Sequence, residues 1–411
     1  MRHVIVVGGG AAGLMAAGQA GQAGAKVTLL EKNERLGKKM VITGKGRCNV
    51  TNDCDVPTLV ANMPGNGRFL YSAFTALDSQ ALQNFLEQQG VRLKVERGQR
   101  VFPASDRSFD VIDGFRRFLT SAGVQTQLRT QVEQLLLGPD RVRGVIANGE
   151  AVQADAVIIA TGGASYPATG STGDGYALAG QAGHTIVPPR PALVPLETVE
   201  DWPRQLQGLT LRNIRLTFRQ GGATLGSEFG EMLFTHFGIS GPLVLTLSRL
   251  VTHRQAPMPI TASINLKPAL DEQQLDRRLQ RDLEKLSRKQ LKNALDELLP
   301  QRLIPVVIEQ AGLDPEKPAH QISRPERQQL AQTLTDLTLS IRGTRPLAEA
   351  IVTAGGVDTR EVDPRTMESR LLPGLHFAGE VLDVDGYTGG FNLQAAFSTG
   401  YVAGRAAALN L

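Results

Sequence analysis

The apolar positions of this chain change period along its length, and the changes mark out its elements. Val4-Ile5-Val6-Val7 is a short unbroken apolar run, the pattern of a strand buried on both faces. A small-residue helical stretch to about residue 23 follows, and 26–30, ending in Glu31, is a second strand. Together they make a βαβ unit of about 30 residues. Helical periodicity predicts helices within 67–90 and 108–122. Strand patterns lie at Gln125–Leu128, Val132–Leu137 and Val142–Ala147, and 156–160 is a further buried strand running into Thr161-Gly162-Gly163.

From about Pro188 the character changes. Prolines cluster at 188, 189, 191 and 195, and then 209–219 and 259–266 alternate apolar and polar as antiparallel strands do. The charged stretch 271–310 is helical in period, with Leu275, Leu279, Leu283, Leu286 and Leu291 as its apolar stripe. The pattern gives one more helix at 325–334 and a strand at 335–342. Beyond Pro346 the glycine-punctuated style returns, with a strand at 375–378 and a terminal helix over 390–409. The expected organisation is a discontinuous domain of residues 1–190 and 345–411. Into it are inserted a β-rich domain (191–270 and 333–344) and a small helical subdomain (271–332).

Gly8-x-Gly10-x-x-Gly13 sits between the first strand and the first helix. Gly8 allows the tight turn, Gly10 lets backbone approach a pyrophosphate, and Gly13 lets helix and strand pack closely. Ala11 and Ala12 then offer the free N–H groups of a helix start to phosphate. Glu31, at the end of the second strand, is placed to accept both hydroxyls of a ribose. Lys32 beside it and Val132 complete the contacts expected around that end of the ligand.

A second motif, Gly37-Lys38-Lys39 followed by Thr43-Gly44-Lys45-Gly46-Arg47-Cys48-Asn49, makes a loop able to lie against a flat ligand. Lys38 and Arg47 suit pyrophosphate charge, and Asn49 suits a flavin edge. Arg47 and Asn49 are also candidates for the chemical step. Cys48 pairs with no C-x-x-C partner, so a packing role outweighs a redox thiol. Ala160-Thr161-Gly162-Gly163 marks the return of the chain past the ligand. The fourth motif runs Phe377-Ala378-Gly379-Glu380, then Asp385-Gly386-Tyr387-Thr388-Gly389-Gly390-Phe391-Asn392-Leu393 into the last helix. It provides an acidic loop for a ribityl chain and a helix start whose dipole favours negative charge on a reduced flavin. The first and fourth motifs together select FAD, bound non-covalently, over NAD. No second G-x-G-x-x-G follows a strand, so NAD(P)H enters only as a transient electron donor.

Thr43–Asn49, the run Gly230-Glu231-Met232-Leu233-Phe234-Thr235-His236-x-Gly238-x-Ser240-Gly241-Pro242, Thr353-x-Gly355-Gly356-Val357 and the stretch 379–394 together resemble the bacterial HI0933-like flavoproteins, nearly end to end and in order. The resemblance implies an α/β fold: a discontinuous Rossmann-type FAD-binding domain, glutathione-reductase/fumarate-reductase-like, with an inserted β-rich domain and a helical subdomain. It also implies delivery of hydride from reduced flavin to an electrophilic carbon. The substrates implied are a small molecule such as an enone, or a uracil of large-subunit ribosomal RNA. An amine or small-molecule oxidase using O₂ and a non-catalytic flavin-binding RNA or assembly factor are the competing classes.

Two features bear on the chemical step. His236 lies in a turn between a strand and a helix that Ser240 caps and Pro242 opens. It can serve as proton donor, because its ordinary pKa is near neutral, or simply hold the turn. Residues 277–292 carry seven basic and two acidic side chains, with Asp276 just before them, which suits either RNA phosphates or a solvated helix face.

Composition narrows the rest. Apolar residues are 41% and charged residues 20%, the balance of a globular chain, and the net charge of +4 does not demand an anionic partner. Two cysteines exclude a disulfide framework and a zinc constellation and suit a reducing, cytoplasmic setting. No run of 18 apolar residues exists, so no membrane association is expected.

Overall fold

In the computed structural model, which describes residues 1–252 and 259–411, the chain forms two compact units. The first comprises Met1–Ala192 and Leu347–Leu411, the second Leu193–Pro346.

The first unit is built on a five-stranded sheet, all of its pairings parallel, in the order Leu375–Phe377, Ala156–Ile159, His3–Val7, Lys26–Glu31, Gln125–Leu128. Val4, Ile5 and Val6 and all of Ala156–Ile159 are fully buried, as continuous apolar runs in a doubly covered sheet must be. Helices Ala11–Gln22 and Phe391–Leu409 pack on this sheet, with Ser108–Ser121 packed on the first of them; the first and last helices of the unit meet along their length. These two approach very closely. A Cβ on Gly400 would stand 2.3 Å from the Ala12 carbonyl oxygen, and one on Gly404 2.3 Å from that of Ala16. Gly400 and Gly404 thus lie one turn apart against Ala12 and Ala16, also one turn apart. The helices therefore run in the same direction, backbone against backbone.

The second unit is a closed six-stranded barrel in the order Leu196–Thr198, Gly238–Ser240, Ala223–Thr235, Thr210–Gln220, Ile260–Asn265, Leu337–Thr344. Leu216, Phe218, Met232, Phe234, Ala262 and Ile264 are buried in it. Helix Glu272–Lys285 buries Leu275, Leu279 and Leu283, and packs against Arg324–Thr335, tied by a forked Arg327–Asp276 pair at 2.7 and 3.2 Å. Both helices start with a capping box, Asp271/Gln274 and Ser323/Glu326.

Three stretches differ from the sequence expectation. The 67–90 pattern breaks into Gly67–Leu70, Tyr71–Ala76 and Ser79–Gln88, because the Asp78 carboxylate caps a new helix through Ala81 N–H. The 271–310 pattern stops at Lys285 and resumes in short pieces. Ser240 does not cap the next helix: it lies in strand Gly238–Ser240, and Gly241, at φ +93, stands directly before helix Pro242–Thr252.

Two buried histidines hold the segment before the last strand. His184 Nε2 meets Ser369 Oγ at 2.7 Å and its Nδ1 meets Glu361 at 3.1 Å. Ser369 Oγ also accepts the N–H groups of Leu371 and Leu372, so its own proton goes to His184, and the ring N–H faces Glu361. With its hydroxyl so engaged, this Ser–His–Glu array is a clamp. His376 is 2% exposed, and burial pushes its pKa down to about 4, against a partial upward pull from Glu368. The unfolded imidazole titrates near 6.5, so between about pH 6.5 and 4 the unfolded chain binds a proton that the folded chain refuses. Stability should therefore fall by up to about 3 kcal/mol as pH drops through that window, then level off. Denaturant midpoints measured from pH 7 to 4 should show this slope, and His376→Gln should make it shallower; an identical slope in the variant would exclude His376 as the titrating group.

Candidate cofactor site

The carboxyl ends of the parallel strands open onto four glycine-rich turns of the first unit. Gly8 has φ +104, and a Cβ there would sit 2.6 Å from Ala160 O, so the first and third motifs touch through bare backbone. A Cβ on Gly13 would overlap Gly8 O at 1.8 Å, which enforces close packing of the first helix on its strand. Gly10 is the opposite case: nothing lies within 4 Å of where its Cβ would be. It opens helix Ala11–Gln22, whose start at Ala11 and Ala12 has no side-chain cap. That is the geometry of an anion cradle.

The terminal helix begins in the same manner, at Gly390 with φ +105 and no capping side chain. A Cβ at Gly390 would stand 2.3 Å from the Thr51 carbonyl, and Gly389 is at φ +130. Gly400 lies nine residues inside this helix, whereas its contact Ala12 lies one residue inside the first. At about 1.5 Å per residue, the two uncapped helix starts are offset by roughly 12 Å along their common direction. Gly379, at φ +78, would bring a Cβ within 2.8 Å of Ala12 Cβ, and its N–H is held by Thr399 Oγ1, so the fourth motif is seated on the first helix.

Two polar atoms in these segments are buried without a partner: Asn49 Oδ1 in the second motif and Thr161 Oγ1 in the third. Buried acceptors and hydroxyls of this kind are normally satisfied, so each calls for a ligand group. The open face of Gly10, two uncapped helix starts and these orphaned atoms together fit a long dinucleotide with an anionic middle and a polar flat end.

The structure places the other candidates as follows. Glu31, 7% exposed, is already engaged: Oε2 accepts Gly9 N–H at 2.7 Å, and Oε1 accepts Asn33 N–H at 2.8 Å and its amide at 2.7 Å. A carboxylate has about four acceptor positions, so room for a ribose hydroxyl remains, but not both oxygens free as expected. Lys32 is engaged by a carboxylate, paired with Asp174 at 2.6 Å. Burial raises the Asp174 pKa, but Lys32 and Thr172 outweigh it and leave the carboxyl below its ordinary range. Gly37 is left-handed, at φ +68, and starts helix Lys38–Ile42; Lys38 reaches Asn33 Oδ1 at 3.3 Å. Arg47 does not present a free cation for pyrophosphate. It bonds Glu96 at 2.9 Å and Asp106 at 3.2 Å and lies 4.0 Å over the Phe102 ring.

Cys48 is buried at φ +64, and burial pushes its thiol up to about 12, so it is no thiolate nucleophile. Val132 is buried in an antiparallel strand paired to Ala147, a packing position rather than an evident contact. Ala160, Gly162 and Gly163 form the third turn, where a Cβ on Gly163 would strike Thr353 Oγ1 at 2.5 Å. Asp385 is 3% exposed. Asn392 spends its amide on the loop before it, accepting Gly386 N–H and donating to the carbonyls of Gly386 and Tyr387, while Leu393 packs on the core. His236 is exposed in the second unit, its ring edge-on to Phe237 at 4.9 Å, in the two-residue turn between Ala223–Thr235 and Gly238–Ser240.

Sequence reasoning overlooked Lys39, Ser165 and Thr353, which gather around Glu380, and Asn52, whose amide binds the Gly389 carbonyl at 3.1 Å. Lys39 and Thr353 carried a sequence signal, in the Gly37-Lys38-Lys39 run and the Thr353-x-Gly355-Gly356-Val357 stretch; Ser165 and Asn52 carried none.

Residues 2–406 match the HI0933-like protein Rossmann domain. The chain belongs to the HI0933-like family. It is 34% identical over 414 residues to a 3-dehydro-bile acid delta(4,6)-reductase of Clostridium scindens, covering 99% of each. It is 33% identical to a ribosomal RNA dihydrouridine synthase of Escherichia coli, over 97% of this chain and 96% of that one. Its fold is similar to that of a flavocytochrome c3 fumarate reductase in the open conformation, with a TM-score of 0.54 at 17% identity, over 99% of this chain and 78% of that one. This HI0933-like protein is thus an FAD-dependent oxidoreductase with a Rossmann-type FAD-binding fold and a barrel insertion. No helix among the described residues is long and apolar enough to cross a membrane.

Glu31→Ala should weaken FAD binding by roughly 10- to 100-fold, the worth of a charge-assisted hydrogen bond at about 1.5–3 kcal/mol. Titration of FAD into apoprotein reads this directly, and an unchanged affinity would remove Glu31 from the ribose site. Acid precipitation of the yellow holoprotein should release the flavin, because Cys48 is too basic a thiol to tether it; colour retained in the pellet would show a covalent bond.

Proposed function

We propose that this protein is an NAD(P)H-driven reductase of a C=C bond activated by conjugation to a carbonyl, its substrate an enone or a uracil of large-subunit ribosomal RNA. The observation that carries the reading is the terminal helix start at Gly389-Gly390. Its uncapped N–H groups and dipole favour negative charge beside them, which is what a reduced flavin ring carries. The two relatives support the substrate class: one is named a reductase of a bile acid, the other a synthase of dihydrouridine, which is uridine with two hydrogens added across a double bond.

Bound FAD would supply the two-electron chemistry, taking hydride from NAD(P)H and passing it to the β-carbon of the conjugated system. The chain's own residues hold and tune it. The helix start at Ala11 and Ala12 would take the pyrophosphate, and Glu31 a ribose hydroxyl. Asn49 Oδ1, buried and unpartnered, would accept an N–H of the flavin edge. Saturating the bond also needs one proton at the α-carbon. His236 is proposed as its donor on chemistry alone: it is an exposed imidazole, a side chain that can carry a proton and give it up.

Anaerobic mixing with NADPH or NADH should bleach the flavin, and an enone or unmodified ribosomal RNA should then restore its colour. Bleaching by an amine alone would point to an oxidase, and no bleaching by any donor to a flavin-binding factor. His236→Asn should leave FAD loading and bleaching intact while slowing reoxidation by substrate about 10²–10⁴-fold, the usual contribution of a positioned general acid. A rate per bound FAD within about threefold of wild type, far short of that factor, would take His236 out of the mechanism.

A further inference from the structure

The second, third and fourth motifs and strand Val352–Val357 converge on one carboxylate. Lys39 Nζ, from helix Lys38–Ile42, donates to Glu380 Oε2 at 2.8 Å and to Ser165 Oγ at 2.7 Å. Glu380 Oε1 accepts the N–H of Thr353 at 2.8 Å and lies 3.2 Å from Ser165 Oγ. Thr353 Oγ1 in turn accepts Ala164 N–H at 2.9 Å. Ser165 is fully buried, and the Lys39 and Glu380 side chains are only 21% and 20% exposed.

The place of this cluster gives it meaning. A Cβ on Gly163 would come within 2.9 Å of Glu380 Oε1, so the carboxylate lies directly against the 161–163 turn. A Cβ on Gly8 would come within 3.0 Å of Thr161 Cα, so that same turn is closed on the first motif. Gly379, the neighbour of Glu380, is seated on Ala12. Glu380 therefore stands inside the cofactor cradle, between the helix start that faces the phosphates and the loop that leads to Gly390.

We propose that Lys39 is a positioning residue for the cofactor: it holds the Glu380 carboxylate against the 161–163 turn and neutralises its charge beside the bound flavin. The proposal rests on FAD occupying this cradle and is independent of the substrate. A half-buried carboxylate left without its cation would repel a flavin that has taken up two electrons more than it repels the oxidised one. Arg47 cannot substitute, being committed to Glu96 and Asp106. Lys38, one position earlier on the short helix, points to Asn33 and Glu34.

The test compares Lys39→Met, Lys39→Arg, Glu380→Gln and the double variant Lys39→Met/Glu380→Gln. FAD affinity is measured by titration into apoprotein, and the reduction potential by equilibration with a reference dye. In Lys39→Met, affinity for reduced FAD should fall about tenfold more than that for oxidised FAD, lowering the two-electron potential by about 30 mV. Lys39→Arg keeps the cation and should bind FAD as wild type does. The double variant removes both charges and should return the potential to within about threefold of the wild-type ratio of affinities, about 15 mV. A Lys39→Met protein whose potential is unchanged would overturn the proposal. So would a double variant that stays as low as Lys39→Met, since a purely structural loss is not repaired by a second substitution. A wild-type chain that takes up no FAD would overturn the cofactor reading along with it.

Discussion

The close crossing of the first and last helices is the contact on which the first unit depends. Gly400 and Gly404 lie on the carbonyls of Ala12 and Ala16 with no space for a side chain. Such an approach needs glycine on one helix and small residues on the other, and it joins segments almost 400 residues apart. It also sets the offset between two uncapped helix starts, and hence the length of ligand the cradle accepts. A larger residue at Gly400 would separate the helices and, with them, their two uncapped starts.

Around that frame, two carboxylates do the local organising. Glu31 gathers Gly9 and Asn33, closing the first turn onto the end of the second strand. Glu380 gathers Lys39, Ser165 and Thr353, closing the other three segments on one another. Each is held by two or more donors, so neither pivots freely. The site is built before the ligand arrives, which lowers the ordering cost of binding.

The charged residues of the second motif show how a plausible local reading goes astray. Arg47 looked like a phosphate ligand because it sits in a glycine-rich loop beside lysines. Its guanidinium instead finds Glu96, near the end of strand Leu93–Glu96, and Asp106, beyond strand Arg100–Pro103. These strands form a small sheet with Thr51–Asn52, and the pairing carries the acids to Arg47. Asn392 is engaged more locally: its amide donates to the carbonyls of Gly386 and Tyr387 in the loop just before it.

What the amino-acid order determined was whatever depends on neighbours a few residues away. The buried runs at Val4–Val7 and Ala156–Ile159 could only be central strands. Gly8, Gly13 and Gly390 sit where a Cβ would strike backbone, and each stands in a motif whose spacing called for glycine there. The return of glycine-rich punctuation after Pro346 marked a domain resumed after an insertion. The barrel closure, the choice of Lys39 over Lys38 as partner of Glu380, and the orphaned atoms of Asn49 and Thr161 came only with the tertiary structure. Adjacent residues on a helix point about 100° apart, so which lysine meets a carboxylate some 340 positions on depends on how that helix is set on the sheet. Periodicity and backbone strain are local and are written in the chain; the pairing of charges is settled by distance in space, which local patterns do not encode.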